Sequence, residues 1–327
     1  MNEPIIGIDV SKATLDVVLL IDEKSYYQQF SNDPGGHEKL AAWAHQKKGN
    51  GAHVCLEATG QYGDRVAEYL YEQGFKVSVV NPNRIKAYAN SKLRRNKSDK
   101  ADGYLIAEYC LKENPGLWSP PPASFKDLQA LIRRLEDLQE NRQQESNRLQ
   151  SGVTTPAVVA DFKAHIAYLD QQIDKVKQAI QDLIDQHPDL KHQQDLLISI
   201  KGIGKLTAAK LLGEIRDIRE FDNARQLAAY SGLTPRNVSS GTSIHPKTRL
   251  SKTGNANLRK ILYMPAISAK RWNPIIHAFC DRLLKSGLTP LQAIAAAMRK
   301  LLHLAFGILK SDRPFDPDFL IKIHSTS

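Results

Sequence analysis

The stretch IIGIDVSKATLDVVLL, residues 5–20, decides the fold class of the first part of the chain. It holds two short β-branched runs separated by a polar turn, a pattern that predicts two neighbouring strands. SYYQQF, residues 25–30, reads as a third strand, and a helix is expected near residues 35–47. Three strands, a helix and then alternating elements predict one mixed sheet covered by helices.

The alternation continues to a boundary marked by Pro115 and by the prolines at 120–122. The predicted elements are a strand in HVCLEAT (53–59), a helix in GDRVAEYLYEQG (63–74), a strand in KVSVVN (76–81) and a helix in SDKADGYLIAEYCLK (98–112). Ser98 suits the N-cap of the last helix. Residues 1–118 are therefore predicted to form an α/β domain.

Residues 119–190 are predicted to be a helical segment. Apolar residues step alternately by three and four from Val159 to Leu183, which is a heptad seam, and a similar seam begins at Phe125. The break SGVTTP (151–156) predicts an antiparallel helical hairpin, although pairing with another subunit fits the pattern equally well. Residues 191–327 are predicted to be mostly helical.

The composition indicates a globular protein that meets a polyanion. The 327 residues carry a formal net charge of +10, and 42% of them are hydrophobic. Cys55, Cys110 and Cys280 are far apart, so neither a zinc site nor a disulfide framework is predicted. The N-terminus lacks a signal-peptide layout, and no stretch approaches the length of a membrane span. A cytoplasmic, nucleoid-associated protein with no membrane partner is expected.

Basic residues are concentrated in two runs. No acidic residue lies between Asp222 and Asp281, and that stretch holds Arg225, Arg236, Lys247, Arg249, Lys252, Arg259, Lys260, Lys270 and Arg271. The second run, KLRRNKSDK (92–100), holds Arg94, Arg95 and Lys97. Either run alone is equally consistent with a solvated face. Two unopposed runs in one basic chain favour contact with phosphate.

Four carboxylates stand at positions that suit metal chemistry. Asp9 and Glu57 end two predicted strands, and Asp99 and Asp102 share one face of a predicted helix. Each also has an ordinary explanation, as a turn acid, a cap or a partner of the helix dipole. Together, four carboxylates would repel unless cations neutralised them. Two Mg²⁺ ions would balance the charge and support phosphodiester chemistry.

This order of acids on this strand layout resembles the ribonuclease-H-like nucleases of the Holliday-junction-resolvase type. It resembles more closely the DEDD-type insertion-sequence transposases, which are relatives of the Piv DNA invertases. The resemblance covers nearly the whole chain and rests on GIDVSKATLDV, CLEATGQYG, NKSDKADGYLIAEY, KGIGKLTAAKLL, AAYSGLTPRNVSSGTSI and LSKTGNANLRKILYMPA. One departure is Lys201, where the family often has proline before Gly-Ile-Gly.

The resemblance implies three domains. Residues 1–118 would be a ribonuclease-H-like DEDD catalytic domain, residues 119–190 a coiled-coil segment, and residues 191–327 a transposase domain with a helix-hairpin-helix-like turn. It maps the metal-binding acids onto Asp9, Glu57, Asp99 and Asp102. It also implies donor and target DNA as substrates, a structured bridge RNA as guide, and a homo-oligomer that assembles from dimers to a tetramer.

The loop PRNVSSGTSI, residues 235–244, is where the resemblance places a nucleophile. Composition alone predicts a loop and does not choose among Ser239, Ser240, Thr242 and Ser243. The resemblance selects Ser240, which would attack DNA and become joined to it. A serine needs activation, and the acids of the other domain would supply it at a composite Mg²⁺-dependent site.

Nucleic-acid contacts are predicted at the two basic runs and at the Gly-Ile-Gly turn. The candidates are Arg94, Arg95, Lys97, Arg236, Lys247, Arg249, Lys252, Arg259, Lys260, Gly202 and Gly204. Backbone N–H groups in such a turn can face a phosphate, although a plain helical turn fits equally well. Tyr88, Tyr230 and Trp272 lie in basic contexts that suit base stacking, and ordinary packing is the competing interpretation.

Three other functions fit part of the pattern. A Mg²⁺-dependent Holliday-junction-resolvase-like nuclease with water as nucleophile explains the acids but not the serine block. An actin-like ATPase or sugar kinase would explain GIDVSKATLDV as a first phosphate loop, yet the sequence shows no Gly-rich second phosphate loop of the D-x-G-x type. A non-catalytic nucleic-acid scaffold would bind without Mg²⁺ and cut nothing.

Overall fold

A computed structural model of the chain describes residues 3–22, 24–58, 60–92, 99–236 and 249–317. At positions 61, 99, 236 and 249 it describes the backbone alone. The chain divides into two compact units, Met1–Pro120 and Pro121–Ser327.

The first unit is built on one mixed sheet. Its strands are β1 (Ile5–Val10), β2 (Thr14–Ile21), β3 (Lys24–Ser31), β4 (His53–Glu57) and β5 (Lys76–Val80). Their order is β3-β2-β1-β4-β5. β2 is antiparallel to both β1 and β3, whereas β1, β4 and β5 run parallel. This is the order and direction of a ribonuclease-H-like sheet, so the predicted fold class is confirmed.

Helices cover both faces of this sheet. They are α1 (Pro34–Gln46), α2 (Gln61–Glu72), α3 (Pro82–Ser91) and α4 (Asp99–Glu113). α1 and α2 pack with one set of strand residues, including Ile6 and Ile8. α4 packs with the alternate set, including Ile5 and Val18. Because side chains alternate between the two faces of a strand, Gly7 and Asp9 lie on the α4 face.

The sequence-based prediction does not include α3, because Pro82 directly follows the predicted strand KVSVVN and by itself indicates only a break in that strand. Proline at the first helical position lacks an N–H that would have no partner there anyway. Asn81 caps the helix, since its side chain accepts a hydrogen bond from the backbone N–H of Asn83 at 2.9 Å. The signal was present as an Asn-Pro pair, which opens a helix here.

The second unit is helical apart from one short ladder. Its helices are α5 (Ala123–Gln150), α6 (Pro156–Gln186), α7 (Pro188–Ile198), α8 (Lys205–Ile215), α9 (Ala224–Tyr230), α10 (Ala256–Trp272), α11 (Pro274–Lys285) and α12 (Pro290–Ser311). The ladder pairs β6 (Pro235–Arg236) with β7 (Arg249–Leu250). The prediction of a mostly helical C-terminal part is confirmed.

α5 and α6 form an antiparallel hairpin within the chain. The first seam is buried at Phe125, Leu128, Ile132, Leu135 and Leu138. Towards the hairpin tip the contacts become polar, and Arg142 Nε lies 2.8 Å from Asp170 Oδ1. Of the two pairings that the sequence left open, the structure contains the intrachain one.

α12 is the one helix in the described residues that is long and apolar enough to cross a membrane, with a mean hydropathy of 1.2. Its inner residues, among them Ala297, Leu301, Leu302 and Ala305, are buried in the core of the second unit. α12 therefore packs as a core helix. The sequence-based statement that no stretch approaches this length was wrong for α12.

Candidate active site and nucleic-acid contacts

Two of the predicted acids end neighbouring parallel strands of the sheet. In the register of β1 and β4, Ile8 pairs with Leu56, so the next residue on each strand is Asp9 and Glu57 respectively. Both carboxylates are half-buried. Each makes an interaction with its surroundings, so neither is without a partner. The carboxyl ends of β1 and β4 thus carry one acid each, side by side.

α4 lies against this part of the sheet because two glycines allow a close approach. A Cβ built on Gly7 of β1 would meet the Ala107 nitrogen and the Gly103 oxygen, each at 2.3 Å. A Cβ on Gly103 would lie 2.9 Å from the Asp16 carbonyl oxygen. At the other end of the helix, Cys110 Sγ lies 3.8 Å from the His53 carbonyl oxygen, at the start of β4.

These contacts fix the direction of α4. From Gly103 to Cys110 the helix runs from the carboxyl end of β1 towards the amino end of β4. Its first turn, which contains Asp99 and Asp102, therefore lies towards the same edge as Asp9. Asp102 is half-buried there, and the structure describes only the backbone of Asp99.

A fifth carboxylate, which sequence reasoning missed, adjoins this edge. Asp16 of β2 is paired directly with Asp9 and is only 4% exposed. Its Oδ1 accepts a hydrogen bond from the Tyr27 hydroxyl at 2.7 Å and another from Gln29 Nε2 at 3.1 Å. Lys100 of α4 lies over the Tyr27 ring, 5.7 Å from its centroid. The signal in the sequence was an acid inside an otherwise apolar strand, LDVVLL.

The donor set of this edge suits a hard divalent cation, because all its ligand atoms would be carboxylate oxygens. Within the residues that the structure describes, no three His, Cys, Asp or Glu side chains lie close enough to hold a metal ion. The Asp99 side chain falls outside that description. The acids fit such an ion by their chemistry and their common edge.

The serine loop is described only at its two ends. Ser240 and Lys247 lie outside the described residues, as do Ser239, Thr242, Ser243, Ser98, Arg94, Arg95 and Lys97. The backbones of Arg236 and Arg249 pair with each other in the β6–β7 ladder. The segment that carries Ser240 therefore leaves and re-enters the fold at adjacent points.

A partly buried hydrogen-bond network joins the segments that lead into and out of this loop. Arg259 Nη1 donates to the carbonyl oxygens of Ser231, Gly254 and Asn255 at 2.9, 3.3 and 3.3 Å. Glu214 of α8, 4% exposed, accepts a hydrogen bond from Asn255 Nδ2 at 2.6 Å. Arg259, predicted from the sequence as a nucleic-acid contact, thus has structural bonds in the folded chain. Sequence reasoning did not single out Glu214, whose signal was an acid inside the apolar run LLGEI.

The other predicted contacts differ in their surroundings. Lys252 and Lys260 are exposed. Gly202 has φ +109°, and a Cβ on it would lie 2.7 Å from Ala269 Cβ, so this glycine serves the packing of the turn on α10. Gly204 is exposed at the N-cap of α8 with no atom near its Cβ position.

The three aromatic residues predicted as candidates for base stacking also differ in how far they are buried. Tyr88 packs edge-on against Tyr109, with 5.5 Å between ring centroids. Tyr230 packs at a tilt against Phe221, with 5.4 Å between ring centroids, and remains 38% exposed. Trp272 remains 61% exposed.

A ribonuclease-H-like sheet with carboxylates at this edge defines a class of divalent-metal-dependent enzymes that act on phosphodiesters. The chain belongs to the DEDD transposase family of IS110-type insertion sequences. The family's DEDD transposase model matches residues 6–155, and the model described as "Transposase IS116/IS110/IS902 family" matches residues 194–281. The protein is a DNA recombination enzyme, and DNA is its substrate.

One relative matches nearly the whole length of the chain, and others match part of it. The chain is 36% identical over 320 residues to the pilin gene-inverting protein of Moraxella bovis, covering 97% of this chain and 98% of that protein. It is 25% identical over 240 residues to the transposase for insertion sequence element IS1111A of Coxiella burnetii, covering 64% and 63%. Among solved structures, T. thermophilus RuvC with its Holliday junction substrate has 14% identity and a TM-score of 0.25, covering 32% of this chain and 90% of that one.

Proposed function

We propose that the protein transposes or inverts DNA by cutting strands and rejoining them through a covalent link to Ser240. The observation that supports it most is the common edge of Asp9, Glu57 and the first turn of α4, in a member of a DNA-recombining family. The family is named for its acidic residues, so the proposed role of Ser240 adds a nucleophile that the family name does not imply.

Asp9, Glu57, Asp99 and Asp102 would hold divalent cations, which we propose to be two Mg²⁺ ions. Bound there, the ions would activate the nucleophile and neutralise charge on the leaving oxygen. Asp16 adds a fifth negative charge directly beside Asp9. Hard oxygen ligands of this kind favour Mg²⁺ over softer metals.

The proposed reaction balances without a nucleotide cofactor. Ser240 Oγ attacks the phosphorus, one bond from phosphorus to a sugar oxygen breaks, and the released sugar hydroxyl takes up a proton. A sugar hydroxyl of another strand then attacks the phosphoserine, and Ser240 regains its proton. The basic side chains of Arg236, Lys247 and Arg249 would stabilise charge on the phosphate.

Target choice is proposed to come from a structured bridge RNA that pairs with donor and target DNA. The net charge of +10 leaves ample positive surface for two polyanions. A homo-oligomer assembled from dimers to a tetramer would supply enough active sites for two duplexes. The protein would act in the cytoplasm, on the nucleoid.

Ser240→Ala tests the covalent step. The full chain with Mg²⁺, guide RNA and labelled DNA should form a protease-sensitive protein–DNA adduct that Ser240→Ala loses. Ser239→Ala is the matched control and should keep the adduct. Strand exchange by Ser240→Ala at the normal rate would refute the proposed nucleophile.

The second candidate is a metal-dependent nuclease of the Holliday-junction-resolvase type that uses water. The acidic edge favours it, since that edge is sufficient for hydrolysis by such a mechanism. If water is the nucleophile, the Asp102→Asn variant would not cleave DNA. The Ser240→Ala variant would cleave DNA at the normal rate and form as much product as the parent. Cleaved ends would then be free of protein in every variant.

A further inference from the structure

The outward face of α10 carries large apolar side chains that the fold does not bury. Tyr263 is 42% exposed, Met264 66% and Ile267 39%. Tyr263 and Ile267 are four residues apart, and Met264 and Ile267 are three residues apart, so all three side chains lie on one side of the helix. The opposite side of α10, with Leu258, Leu262 and Ala266, is fully buried. The inner side therefore accounts for folding, and the outer side has no part in the core.

Basic residues lie at both ends of this apolar band along the helix. Lys260 lies one turn before Tyr263, and Lys270 and Arg271 lie one turn after Ile267. None of these three cations forms an ion pair with a carboxylate in the part of the chain that the structure describes. Next to them, the Arg271 guanidinium lies 4.9 Å from the centroid of the exposed Trp272 ring.

The charges limit what can cover this face. In an antiparallel pairing of two copies across α10, Lys260 of one copy would approach Arg271 of the other, and in a parallel pairing each cation would approach its own counterpart. Like charges brought together in a desolvated interface oppose association. A polyanion instead gains from all three cations.

The apolar band further selects among polyanions. Duplex DNA presents phosphates and base edges, and its base faces are covered by stacking. An unpaired strand exposes those faces, which stack on aromatic side chains and on arginine–aromatic pairs. Tyr263 and the thioether of Met264 offer such a platform on the outward face, between Lys260 and the cations Lys270 and Arg271 that can reach the backbone. Trp272 ends the helix about 180° round its axis from Tyr263, and its ring, which lies against the Arg271 guanidinium, extends the platform there.

We propose that the outward face of α10 binds an unpaired DNA strand. A recombination enzyme must separate and exchange strands, and this surface would hold a strand while it is unpaired. The proposal rests on the enzyme acting on DNA and does not depend on the Ser240 step. The surface would hold a DNA strand, and it is distinct from the acidic edge and from Ser240, where we propose that strands are cut and rejoined.

Binding to three probes tests this surface with the full chain. The probes are fluorescein-labelled oligo-dT of about 12 nucleotides, a duplex of equal length and oligo-rU, each followed by anisotropy in EDTA so that no cleavage occurs. Trp272→Ala should raise the Kd for oligo-dT about tenfold, and Tyr263→Ala should do the same. The Kd for the duplex should change less than twofold. Oligo-dT should quench tryptophan fluorescence in the parent and less in Trp272→Ala.

The matched control is Tyr168→Ala, which removes from α6 an aromatic ring whose exposure, 55%, lies between those of Tyr263 and Trp272. It should leave all three affinities unchanged. Equal losses on oligo-dT and duplex, no loss on oligo-dT, or a loss confined to oligo-rU would each overturn the proposal. Melting temperatures show whether each variant is folded. If Tyr263→Ala does not fold, the affinities of Trp272→Ala test the proposal alone, because Trp272 is largely exposed and its removal should not disturb the fold. Because no chemistry is measured, failure here leaves the Ser240 proposal standing.

Discussion

Asp9 and Asp16 lie directly opposite each other on the antiparallel strands β1 and β2, on the sheet face that α4 covers. Paired residues on one face have Cβ atoms about 5 Å apart, so the two carboxylates are close neighbours. Asp16 is held by the Tyr27 hydroxyl and Gln29, both neutral donors. Two facing acids repel each other, and a cation bound at this edge would relieve that repulsion.

Asp16→Asn is expected to weaken divalent-cation binding about tenfold. The asparagine Oδ1 can still accept the Tyr27 hydrogen bond, so the change removes one charge with little change in shape. A Mn²⁺ titration followed by electron paramagnetic resonance measures the affinity. Glu72→Gln, an exposed acid at the end of α2, is the control. Equal Mn²⁺ affinities for the parent and Asp16→Asn would show that Asp16 serves the fold alone.

Gly7→Ala is expected to destabilise the first unit by about 3 kcal/mol, the upper range for overpacking. Its Cβ would lie 2.3 Å from two backbone atoms of α4, so the helix must move away. Denaturant unfolding measures the loss. Gly116→Ala has open space around its Cβ position and should change the free energy of unfolding little. A Gly7→Ala protein as stable as the Gly116→Ala control would contradict the close contact.

Arg259 and Lys260 are adjacent cations for which the structure predicts opposite defects. Arg259→Met should lower the free energy of unfolding by about 2 kcal/mol, because the carbonyl groups of Ser231 and Gly254 lose their charged hydrogen-bond donor. Lys260→Met should leave stability unchanged and reduce the slope of log affinity for DNA against log salt by about 1. Thermal melting and salt-dependent DNA binding separate the two effects. The assignment fails if Lys260→Met is the less stable variant.

Acid should destabilise the first unit partly through His37. Burial lowers the pKa of His37, Arg65 lowers it further, and Asp33 opposes both. In the unfolded chain the imidazole takes up a proton near pH 6.5, whereas the folded chain resists protonation. Its contribution to stability is therefore present above that pH and is lost as the pH falls below it.

The measurement is the melting temperature between pH 7.5 and pH 5.5, a window around the ordinary histidine pKa of about 6.5. The decrease in melting temperature should be smaller in His37→Gln than in the parent. A decrease of the same size in both proteins would exclude His37 as a source.

The strands and most helices were predictable because their apolar periods are read locally. Asp16 was not, since its neighbours Asp9 and Tyr27 are set by strand register, which a single sequence does not display. Glu214 was missed for a similar reason, because its partner Asn255 is distant along the chain. The acids Asp9 and Glu57 were predictable as strand-end residues. Their common edge with α4 follows from glycine contacts that composition does not reveal.

The contact between Gly7 and Ala107 makes α4 a lever. Asp99 stands eight residues from this fulcrum, which is about 12 Å along a helix. A tilt of about 5° at the fulcrum would displace the helix end by about 1 Å, and errors of that size can cost a catalyst about 100-fold. Substitutions far from any acid could therefore tune or silence the enzyme by changing the angle of one helix.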